Sequence, residues 1–553
     1  MSVRVSVIPA MPPRPILQGR CPVPENVQRA CPIAVPDPEA GMADRQTTTD
    51  SAVPPCGRCL RARHVSVDTL REAVAYLRHD SQVCRSEGFA AQTRLQLDYG
   101  ETTIAATLQT VTGDWLELDE IGLSEAALQA LDVAEGDWVR VHHMPPLESF
   151  RHVRGRMYGE PFTYDALSEV IGDIAAGRYS SIHIASFLSA CTGNRLSDDE
   201  IISLTQVMVA TGKTLTWPAD KVMDKHSVGG LPGNRTTPIV VAIVTAQGLV
   251  MPKTSSRAIT SPAGTADTMA TLAPVDLSAD EMRRVVEDVG GCVVFGGAAD
   301  LSPADDILIQ VERPLELDSE AQMIASILSK KLAVGATHVL IDIPVGPTTK
   351  IRSGNASMRF SERLRTIARA LGLEVVTYVC QGKEPVGRGI GPSLEARDVL
   401  AVLQNRARAP MDLMTKSVEI AGRILEAGGK ALPGEGAQMA RRVLISGLAW
   451  QQFQRICEAQ GGMLEPVVGR HSKPITARHA GVVTTVDNRQ LSRVAKLAGA
   501  PLAKRAGVVF ESPIGTVVGA GQPLFTIYAE SPGELEYAFE YANRFPDIVC
   551  VRA

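Results

Sequence analysis

The sequence predicts an α/β protein, and three observations support this fold class. Short apolar segments alternate with amphipathic helical patterns from about Leu215 to Asp300, and the alternation resumes after Lys331. Two of the later segments, VLIDIPV and LEVVTYV, have the length and β-branched content of buried strands. Aromatic residues make up only 4% of the chain, which suits helices packed on sheets better than an all-β architecture.

Changes in composition along the 553 residues predict about three or four domains after an initial extension. The first part holds many prolines and no periodic apolar pattern, which is typical of disorder. A β-rich region follows, and helical patterns then flank and interrupt the α/β alternation. The predicted domains are a disordered extension at 1–62, a small β-rich domain at 63–147, a helical domain at 148–213 and 303–333, a larger α/β domain at 214–302 and 334–465, and a C-terminal α/β domain at 466–553.

Local patterns justify the individual elements in chain order. The segment SVDTLREAVAYLR at 66–78 predicts a short helix, and TRLQLDY, TTIAATLQTV and DWVRVHHM predict strands. His183 lies on the apolar helix SIHIASFLSACTG, where a packed histidine is expected rather than a ligand. Ser197 and Glu200 fit a capping box before the helix IISLTQVMV. Near the end, ESPIGTVVGAGQPLFTIYAES predicts strands joined by glycine turns.

The overall charge and the cysteines exclude several classes of protein. A net charge of −5 gives no reason to expect a nucleic acid polymer or an anionic membrane as partner. The sequence has no apolar run of transmembrane length and no secretion signal, so a cytoplasmic protein with reduced thiols is expected. Cys56 and Cys59 form one CxxC without a second pair at zinc-site spacing, and incidental thiols are expected there.

The most informative segment is DKHSVGGLPGN at 224–234, which follows a predicted strand and leads into a predicted helix. Its glycines would let the backbone approach a ligand closely, and backbone N–H groups at a helix start favour an anion. Lys225 adds a positive charge and Ser227 a hydroxyl donor. The pattern predicts a phosphate-binding loop, and a tight strand–helix turn without a ligand is the alternative.

A second polar loop, KTSSRAITSPAGTAD at 253–267, also lies between a strand-like stretch and a predicted helix. Its hydroxyl groups, Gly264 and Arg257 could bind an oxyanion or sugar hydroxyls. Two such loops after successive strands are typical of ligand binding at the carboxyl edge of an α/β sheet. Neither loop has the pattern GxxxxGK[ST] or GxGxxG.

Two further segments follow the loops in the sequence, SILSKKLAVGATHVLIDIPVG and KEPVGRGIGPSLEA. With these four segments in this order, the sequence from about 150 to 550 resembles the thymidine/pyrimidine-nucleoside phosphorylase family. The β-rich segment looks like the extra N-terminal domain of the family's long branch, which includes AMP phosphorylases and proteins assigned as thymidine phosphorylases. The resemblance implies a helical domain beside a larger α/β domain, with the active site in the cleft between them. It also implies a further C-terminal α/β domain and a homodimer formed through the helical domain.

The resemblance assigns roles to individual residues. It implies two catalytic residues, the proton donor Asp318 and the first-loop histidine His226. The implied phosphate ligands are Lys225, Ser227, Ser255 and Thr265. The implied substrate-binding residues are Gly230, Ser256, Arg257, Ala258, Ile259, Thr260, Ser261, Thr265, Ser326, Lys330 and Lys350. An acid near the departing base and a bound phosphate near the sugar suit the charges that develop when an N-glycosidic bond breaks.

The sequence departs from the family's pyrimidine-specific members at one position. Those members carry an arginine about fifteen residues before the serine that matches Ser326; here that position is near Val311, and Arg313 is close but not aligned. The loop SRAITSPAGTAD also looks more like the AMP branch. A bound 5′-phosphate would need further cations, for which Arg257 and Lys350 are candidates.

The expected reaction is phosphorolysis of a nucleoside, with thymidine and phosphate giving thymine and 2-deoxyribose 1-phosphate. Phosphorolysis of AMP to adenine and ribose 1,5-bisphosphate is the alternative. A magnesium-dependent phosphoribosyltransferase is a second alternative, for which Asp305 and Asp306 are the candidate acidic pair, and a non-catalytic nucleotide sensor is a third. The motifs require no metal and no cofactor beyond inorganic phosphate as co-substrate.

Overall fold

The computed structural model describes residues 56–69, 72–193, 195–258, 261–315, 317 and 319–553. Most of the predicted disordered extension, up to residue 55, lies outside the described residues. The prediction is wrong for its last part, because a strand begins at Cys59. None of the described helices combines the length and the apolar character that a membrane span requires.

Six strands and two short helices form a closed β-barrel after the extension. In chain order the elements are β1 (Cys59–His64), β2 (Val74–Arg78), α1 (Gln82–Glu87), β3 (Arg94–Tyr99), β4 (Thr102–Val111), β5 (Glu120–Leu123), α2 (Glu125–Leu131) and β6 (Trp138–His143). The strand order is β1-β5-β2-β4-β3-β6. The predicted helix at 66–78 is wrong, because β2 occupies its second half. Ala75 and Leu77 point with period two into the barrel core, so pairing with β4 and β5 outweighs local helix propensity.

The cysteine pair at the start of the barrel also differs from the expectation. Cys56 and Cys59 form a disulfide, whereas the sequence pattern favours incidental thiols. Their Cα atoms lie 5.2 Å apart, within the range that a disulfide spans.

Four helices follow the barrel: α3 (Phe150–Met157), α4 (Tyr164–Ala175), α5 (Ser181–Ala190) and α6 (Asp198–Ala210). The predicted capping box of α6 is confirmed, since Ser197 and Glu200 exchange side chain–backbone hydrogen bonds. The prediction of a packed His183 is also confirmed, because its ring lies 4.8 Å from that of Phe150 and its Nδ1 contacts the Ser180 side chain.

The α/β region contains the elements that carry both predicted loops. Its first part comprises β7 (Met223–Ser227), α7 (Thr236–Thr245), β8 (Met251–Ser255), α8 (Thr265–Met269), α9 (Ala279–Val289) and β9 (Gly291–Phe295). Two helices, α10 (Pro303–Leu315) and α11 (Glu320–Ala333), then return to the helical layer, where α11 packs on α6 and α10 on α4 and α5. The second part comprises β10 (His338–Val345), α12 (Gly354–Ala370), β11 (Glu374–Gln381), β12 (Gly389–Ile390), α13 (Pro392–Leu403), α14 (Met411–Ala427), α15 (Gly436–Ile445) and α16 (Leu448–Ala459).

The parallel strands of this region run in the order β11-β10-β7 and β8-β9, and a bridge between Val222 and Val250 joins the two sets. Every residue of α7 is buried. Both segments predicted as buried strands are strands, but only β10 is buried throughout its middle. β11 is the outer strand and is half-exposed, because an apolar run alone does not distinguish an edge strand from a central one.

The C-terminal region forms two small antiparallel sheets with two helices. Its elements are β13 (His471–Thr476), β14 (Gly481–Val486), α17 (Asn488–Leu497), β15 (Gly507–Phe510), β16 (Val517–Val518), β17 (Pro523–Ala529), α18 (Pro532–Arg544) and β18 (Val549–Arg552). The sheet orders are β12-β15-β17-β13 and β16-β14-β18. β12 precedes this region in the chain by about 80 residues, yet it pairs with β15, so the predicted boundary near 466 does not fully separate the two domains.

Candidate active site

The first predicted loop begins where β7 ends and leads into α7, next to the segment that carries Lys350. Gly230 has a φ of +83°, and a Cβ atom there would lie 2.8 Å from the backbone nitrogen of Lys350. Only glycine therefore fits at this position without displacing the Lys350 segment. The close approach brings two of the predicted substrate-binding residues together.

Lys225 is buried in the middle of β7, and its Nζ donates hydrogen bonds to the first residues of α7. The distances are 2.8 Å to Thr236 Oγ1 and 3.4 Å to Thr237 Oγ1. Burial lowers the pKa of Lys225 to about 8, an effect that Asp342, 4.0 Å away, partly opposes. A lysine with this pKa is largely cationic at neutral pH, so its ammonium group can bind an anion.

Asp342, a fully buried carboxylate on β10, organises the same loop. Its Oδ2 accepts hydrogen bonds from Ser227 Oγ at 3.0 Å and from Asn234 Nδ2 at 3.2 Å. Its Oδ1 lies 3.1 Å from Nζ of Lys416, which reaches it from α14. Despite burial, which alone would raise it, the pKa of Asp342 is lowered by the cations around it, above all Lys416 and Lys225. Neither Asp342 nor Lys416 is among the residues predicted from the sequence to belong to the site.

A second buried carboxylate, Asp224, lies beneath the loop and pairs with two lysines. Lys331 Nζ is 2.7 Å from its Oδ2 and Lys253 Nζ is 3.5 Å from its Oδ1. Burial, followed by the neighbouring lysines, lowers the pKa of Lys253 to about 7 even though Asp224 opposes the effect. Two lysines therefore share one carboxylate under the loop, and a bound anion would favour the protonated form of Lys253.

His226, predicted to be catalytic, is held in its neutral form. Its pKa lies well below the ordinary value, first because of burial and then because of nearby cations. These cations are Lys331, Lys253, Lys330 and Lys225. At neutral pH the imidazole can donate or accept a hydrogen bond, but it does not carry the additional proton that a general acid would transfer.

The second predicted loop connects β8 to α8 and is closed by Asp267. The Oδ2 of Asp267 accepts hydrogen bonds from the backbone nitrogens of Ala258 at 2.6 Å and Gly264 at 2.8 Å. The hydroxyl of Ser255, a predicted phosphate ligand, is shielded from solvent and has no hydrogen-bond partner among the described residues. A buried hydroxyl without a partner is costly unless a ligand satisfies it.

Arg235, which the sequence pattern does not single out, ties the two loops together. Its Nη1 donates to Thr265 Oγ1 at 2.6 Å and its Nη2 to the carbonyl of Ala263 at 3.0 Å. Its Nε pairs at 2.6 Å with Glu395, which is buried on α13. Thr265 is thereby fixed relative to the first loop, at the start of α8, where a phosphate ligand is predicted.

The other predicted residues of the second loop differ in their contacts and in whether the structure describes them. Arg257 is engaged by two carboxylates, Asp276 at 2.8 Å and Asp267 at 3.6 Å, and its guanidinium stacks on the ring of Phe295. Ser261 donates its hydroxyl to the carbonyl of Ala263, and Ser256 is half-buried beside the glycine at 264. Ile259 and Thr260 lie outside the described residues.

The helical layer contributes Ser326 and Lys330 from α11. Lys330 Nζ lies 3.5 Å from Ser326 Oγ and forms an ion pair with Asp305 at the start of α10. Burial alone would lower the pKa of Lys330, but Asp305 more than offsets it, and the pKa is raised. The next residue of α11, Lys331, pairs with Asp224 of the first loop at 2.7 Å, so the helical layer and the first loop are in direct contact. The predicted proton donor Asp318 lies outside the described residues.

Models of known protein families match most of the chain after the barrel. Residues 153–212 match the helical bundle domain of a glycosyl transferase family, and residues 219–359 match the α/β domain of that family. Residues 482–546 match the pyrimidine nucleoside phosphorylase C-terminal domain.

Several relatives are similar over nearly their whole length. A Polaromonas sp. protein named "Putative thymidine phosphorylase" is 56% identical over 87% of this chain and 94% of its own length. "Putative thymidine phosphorylase 1" of Acidovorax sp. is 55% identical over 88% of this chain and 96% of its own length. A Hahella chejuensis protein with the same name as the first is 51% identical over 88% of this chain and 96% of its own length.

Proposed function

Because the chain belongs to the thymidine/pyrimidine-nucleoside phosphorylase family, and is therefore a pentosyltransferase, we propose that it cleaves the N-glycosidic bond of thymidine with inorganic phosphate. The bond between C1′ of the sugar and the base nitrogen breaks, and a bond between C1′ and a phosphate oxygen forms. Thymine and 2-deoxyribose 1-phosphate are the products.

The observation that carries this proposal is the cationic, hydroxyl-lined space at the carboxyl ends of β7 and β8. Lys225 lies within β7 and Ser227 ends it, Ser255 ends β8 with a hydroxyl that has no partner among the described residues, and Arg235 links Thr265 to the first loop. These groups can hold a phosphate by charge-assisted hydrogen bonds and present it to the sugar. The positive charge around the site also stabilises the anionic nucleophile without a metal ion.

Asp318 is the proposed acid that protonates the departing base, and His226 the proposed neutral hydrogen-bonding group. The low pKa of His226 supports this division of roles, because an imidazole that is neutral at pH 7 cannot deliver a proton from the imidazolium form. Ser326 and Lys330 are proposed to contact the base from the helical layer. Phosphate and base would then be bound from different layers of the protein.

AMP is the second candidate substrate, and two observations favour it. The position at which pyrimidine-specific members of the family carry an arginine falls near Val311, and Arg313 is close but not aligned with it. Lys350 is exposed beside Gly230, and no carboxylate lies within ion-pair distance of it in the described part of the chain, so its charge is available for a 5′-phosphate. Arg257, the other candidate cation, is already paired with Asp276 and Asp267.

The magnesium-dependent phosphoribosyltransferase has less support. Its candidate metal ligand Asp305 is buried and ion-paired with Lys330, which leaves that carboxylate poorly placed to bind a divalent cation. A transferase of that class would also use a pyrophosphorylated sugar rather than inorganic phosphate.

A substrate panel tests the assignment. The protein is incubated with phosphate and either nucleosides or nucleoside 5′-monophosphates, and free base is quantified by chromatography. Release from thymidine supports the first proposal, and release from AMP alone supports the second. Base release from a nucleotide that requires magnesium and pyrophosphate in place of phosphate, with a pyrophosphorylated sugar as the other product, would contradict both. Lys350→Met should raise KM for a 5′-monophosphate and leave KM for a nucleoside unchanged, so it separates the two candidates.

We also propose that the protein is a cytoplasmic homodimer that associates through the helical layer. Apolar side chains are exposed there on α5 and at the end of α3, with Ile182 72% and Tyr158 91% exposed. Large apolar side chains exposed on neighbouring helices are typical of an interface. Light scattering should give the mass of a dimer, and Ile182→Glu should give a monomer; a monomeric wild type would contradict the proposal.

A further inference from the structure

The carboxylate of Asp342 connects two lysines with the first loop, and its two oxygens have different partners. Oδ2 faces the loop, where it accepts hydrogen bonds from Ser227 and Asn234 and lies 4.0 Å from Lys225 Nζ. Oδ1 faces α14, where it lies 3.1 Å from Lys416 Nζ. Asp342 is 0% exposed and Lys416 7%, so water screens these interactions very little.

The carboxylate of Asp342 affects the charge of the site as well as the conformation of the loop, because its one negative charge is shared between Lys225 and Lys416. An anion bound by Lys225 and Ser227 would compete with Asp342 for the same lysine and the same hydroxyl. The balance between Asp342 and Lys416 therefore determines how much positive charge remains on Lys225 when the site is empty.

We propose that Asp342 and Lys416 are positioning residues of the phosphate site with opposite effects: Asp342 orients Ser227 and attracts the ammonium group of Lys225, whereas Lys416 competes with Lys225 for the same carboxylate. The proposal rests on the proposed function, in which Lys225 and Ser227 bind phosphate. Neither residue needs to touch phosphate itself.

The charged groups around Lys225 support this division. Its pKa of about 8 results first from burial, with Asp342 raising it and Lys416 and then Arg235 lowering it. Cys380 on β11, whose thiol contacts Asp342, is a minor contributor that raises it. Lys225 also interacts electrostatically with Lys253 on β8 and with its neighbour His226.

The pH dependence of the phosphate KM provides the test. Above pH 8 the empty site holds a neutral Lys225, so phosphate binding must take up a proton and KM rises with pH. Removing the charge of Asp342 should move the onset of this rise to lower pH, and removing the charge of Lys416 should move it to higher pH. Each shift should be about one pH unit, the smaller end of what a nearby charge produces. The ionisation of phosphate itself is common to all variants and cancels in the comparison.

The variants are Asp342→Asn, Lys416→Met and the double variant, with Lys430→Met as a control for an exposed lysine on the same domain. The expected result is two shifts of opposite sign, a double variant between them, and a control equal to wild type. Shifts of the same sign, or no shift for Lys416→Met, would overturn the proposal. If the two residues had a purely structural role, both changes would affect the phosphate KM in the same direction.

Two further measurements keep the outcome interpretable. Circular dichroism and thermal unfolding identify any variant that does not fold; if Asp342→Asn fails, the sign of the Lys416→Met shift alone decides. Lys225→Met tests the underlying assignment separately. If it leaves the phosphate KM unchanged, the phosphate site itself is wrong. If it raises that KM while the two single variants shift in the same direction, only the opposing roles of Asp342 and Lys416 are wrong.

Discussion

Replacing Lys225 with methionine removes one positive charge from the proposed phosphate site with little change in side-chain length. Lys225 Nζ donates to Thr236 and Thr237 and lies near Asp342. Asp342 keeps Lys416 as its counter-ion in the variant, so no carboxylate becomes unpaired. The change should therefore act on phosphate binding more than on folding.

The size of the effect follows from the charge-assisted hydrogen bond between Lys225 and phosphate, which methionine cannot make. A hydrogen bond to a charged group contributes about 1.5–3 kcal/mol. Since about 1.4 kcal/mol corresponds to a factor of ten, the phosphate KM should rise about 10- to 150-fold. The KM for the nucleoside should stay within about twofold, because the sugar and the base keep all their proposed binding residues.

Steady-state phosphorolysis at varied phosphate, with the nucleoside saturating, measures this change. Lys221→Met is the matched control, since Lys221 precedes the same strand but is exposed and donates its hydrogen bond to the carbonyl of Ala427. A phosphate KM of Lys225→Met that stays near wild type, or an equal rise for Lys221→Met, would exclude Lys225 as a phosphate ligand.

Substitutions at Asp318, at the Arg235–Glu395 pair and at Gly230 test separate parts of the site. Asp318→Asn should lower kcat at least about 100-fold with little change in the phosphate KM, and a kcat within about twofold of wild type would exclude Asp318 as the acid. Arg235→Met should destabilise the protein by about 3–5 kcal/mol, because Glu395 is then left buried without its cation. Adding Glu395→Leu should restore part of this stability, as measured by calorimetry. If the double variant loses as much free energy of unfolding as the two single variants together, the two residues do not act as a pair. Gly230→Ala should raise the substrate KM, because the new Cβ would lie 2.8 Å from the backbone nitrogen of Lys350. Unchanged kinetics would show that the Lys350 segment can move aside without affecting substrate binding.

Sequence patterns predicted the structure well where it depends on neighbouring residues. The loops at 224–234 and 253–267 carry their signal in a few consecutive glycines, hydroxyl groups and cations, and each does connect a strand to a helix. The capping box at Ser197 and the helices at 303–333 are local patterns of the same kind. The helix predicted at 66–78 is wrong because Ala75 and Leu77 are buried by the pairing of β2 with β4 and β5, which the residues of 66–78 alone do not reveal.

The rest of the site depends on contacts between distant parts of the chain. Ser227 and Asp342 are 115 residues apart, and Arg235 and Glu395 are 160 apart. In the sequence Asp342 is one polar residue within an apolar strand, and Arg235 is one cation after a glycine loop. A charged residue inside a segment predicted to be buried is the signal that could have identified Asp342, since such a charge requires a partner.

Inorganic phosphate is the proposed nucleophile that accepts the pentose. Phosphorus NMR of a reaction containing thymidine or AMP and phosphate distinguishes phosphorolysis from hydrolysis. We expect a new pentose 1-phosphate resonance that grows in step with free base, and no base release when phosphate is omitted. Base release that proceeds without phosphate and yields the free sugar would contradict it.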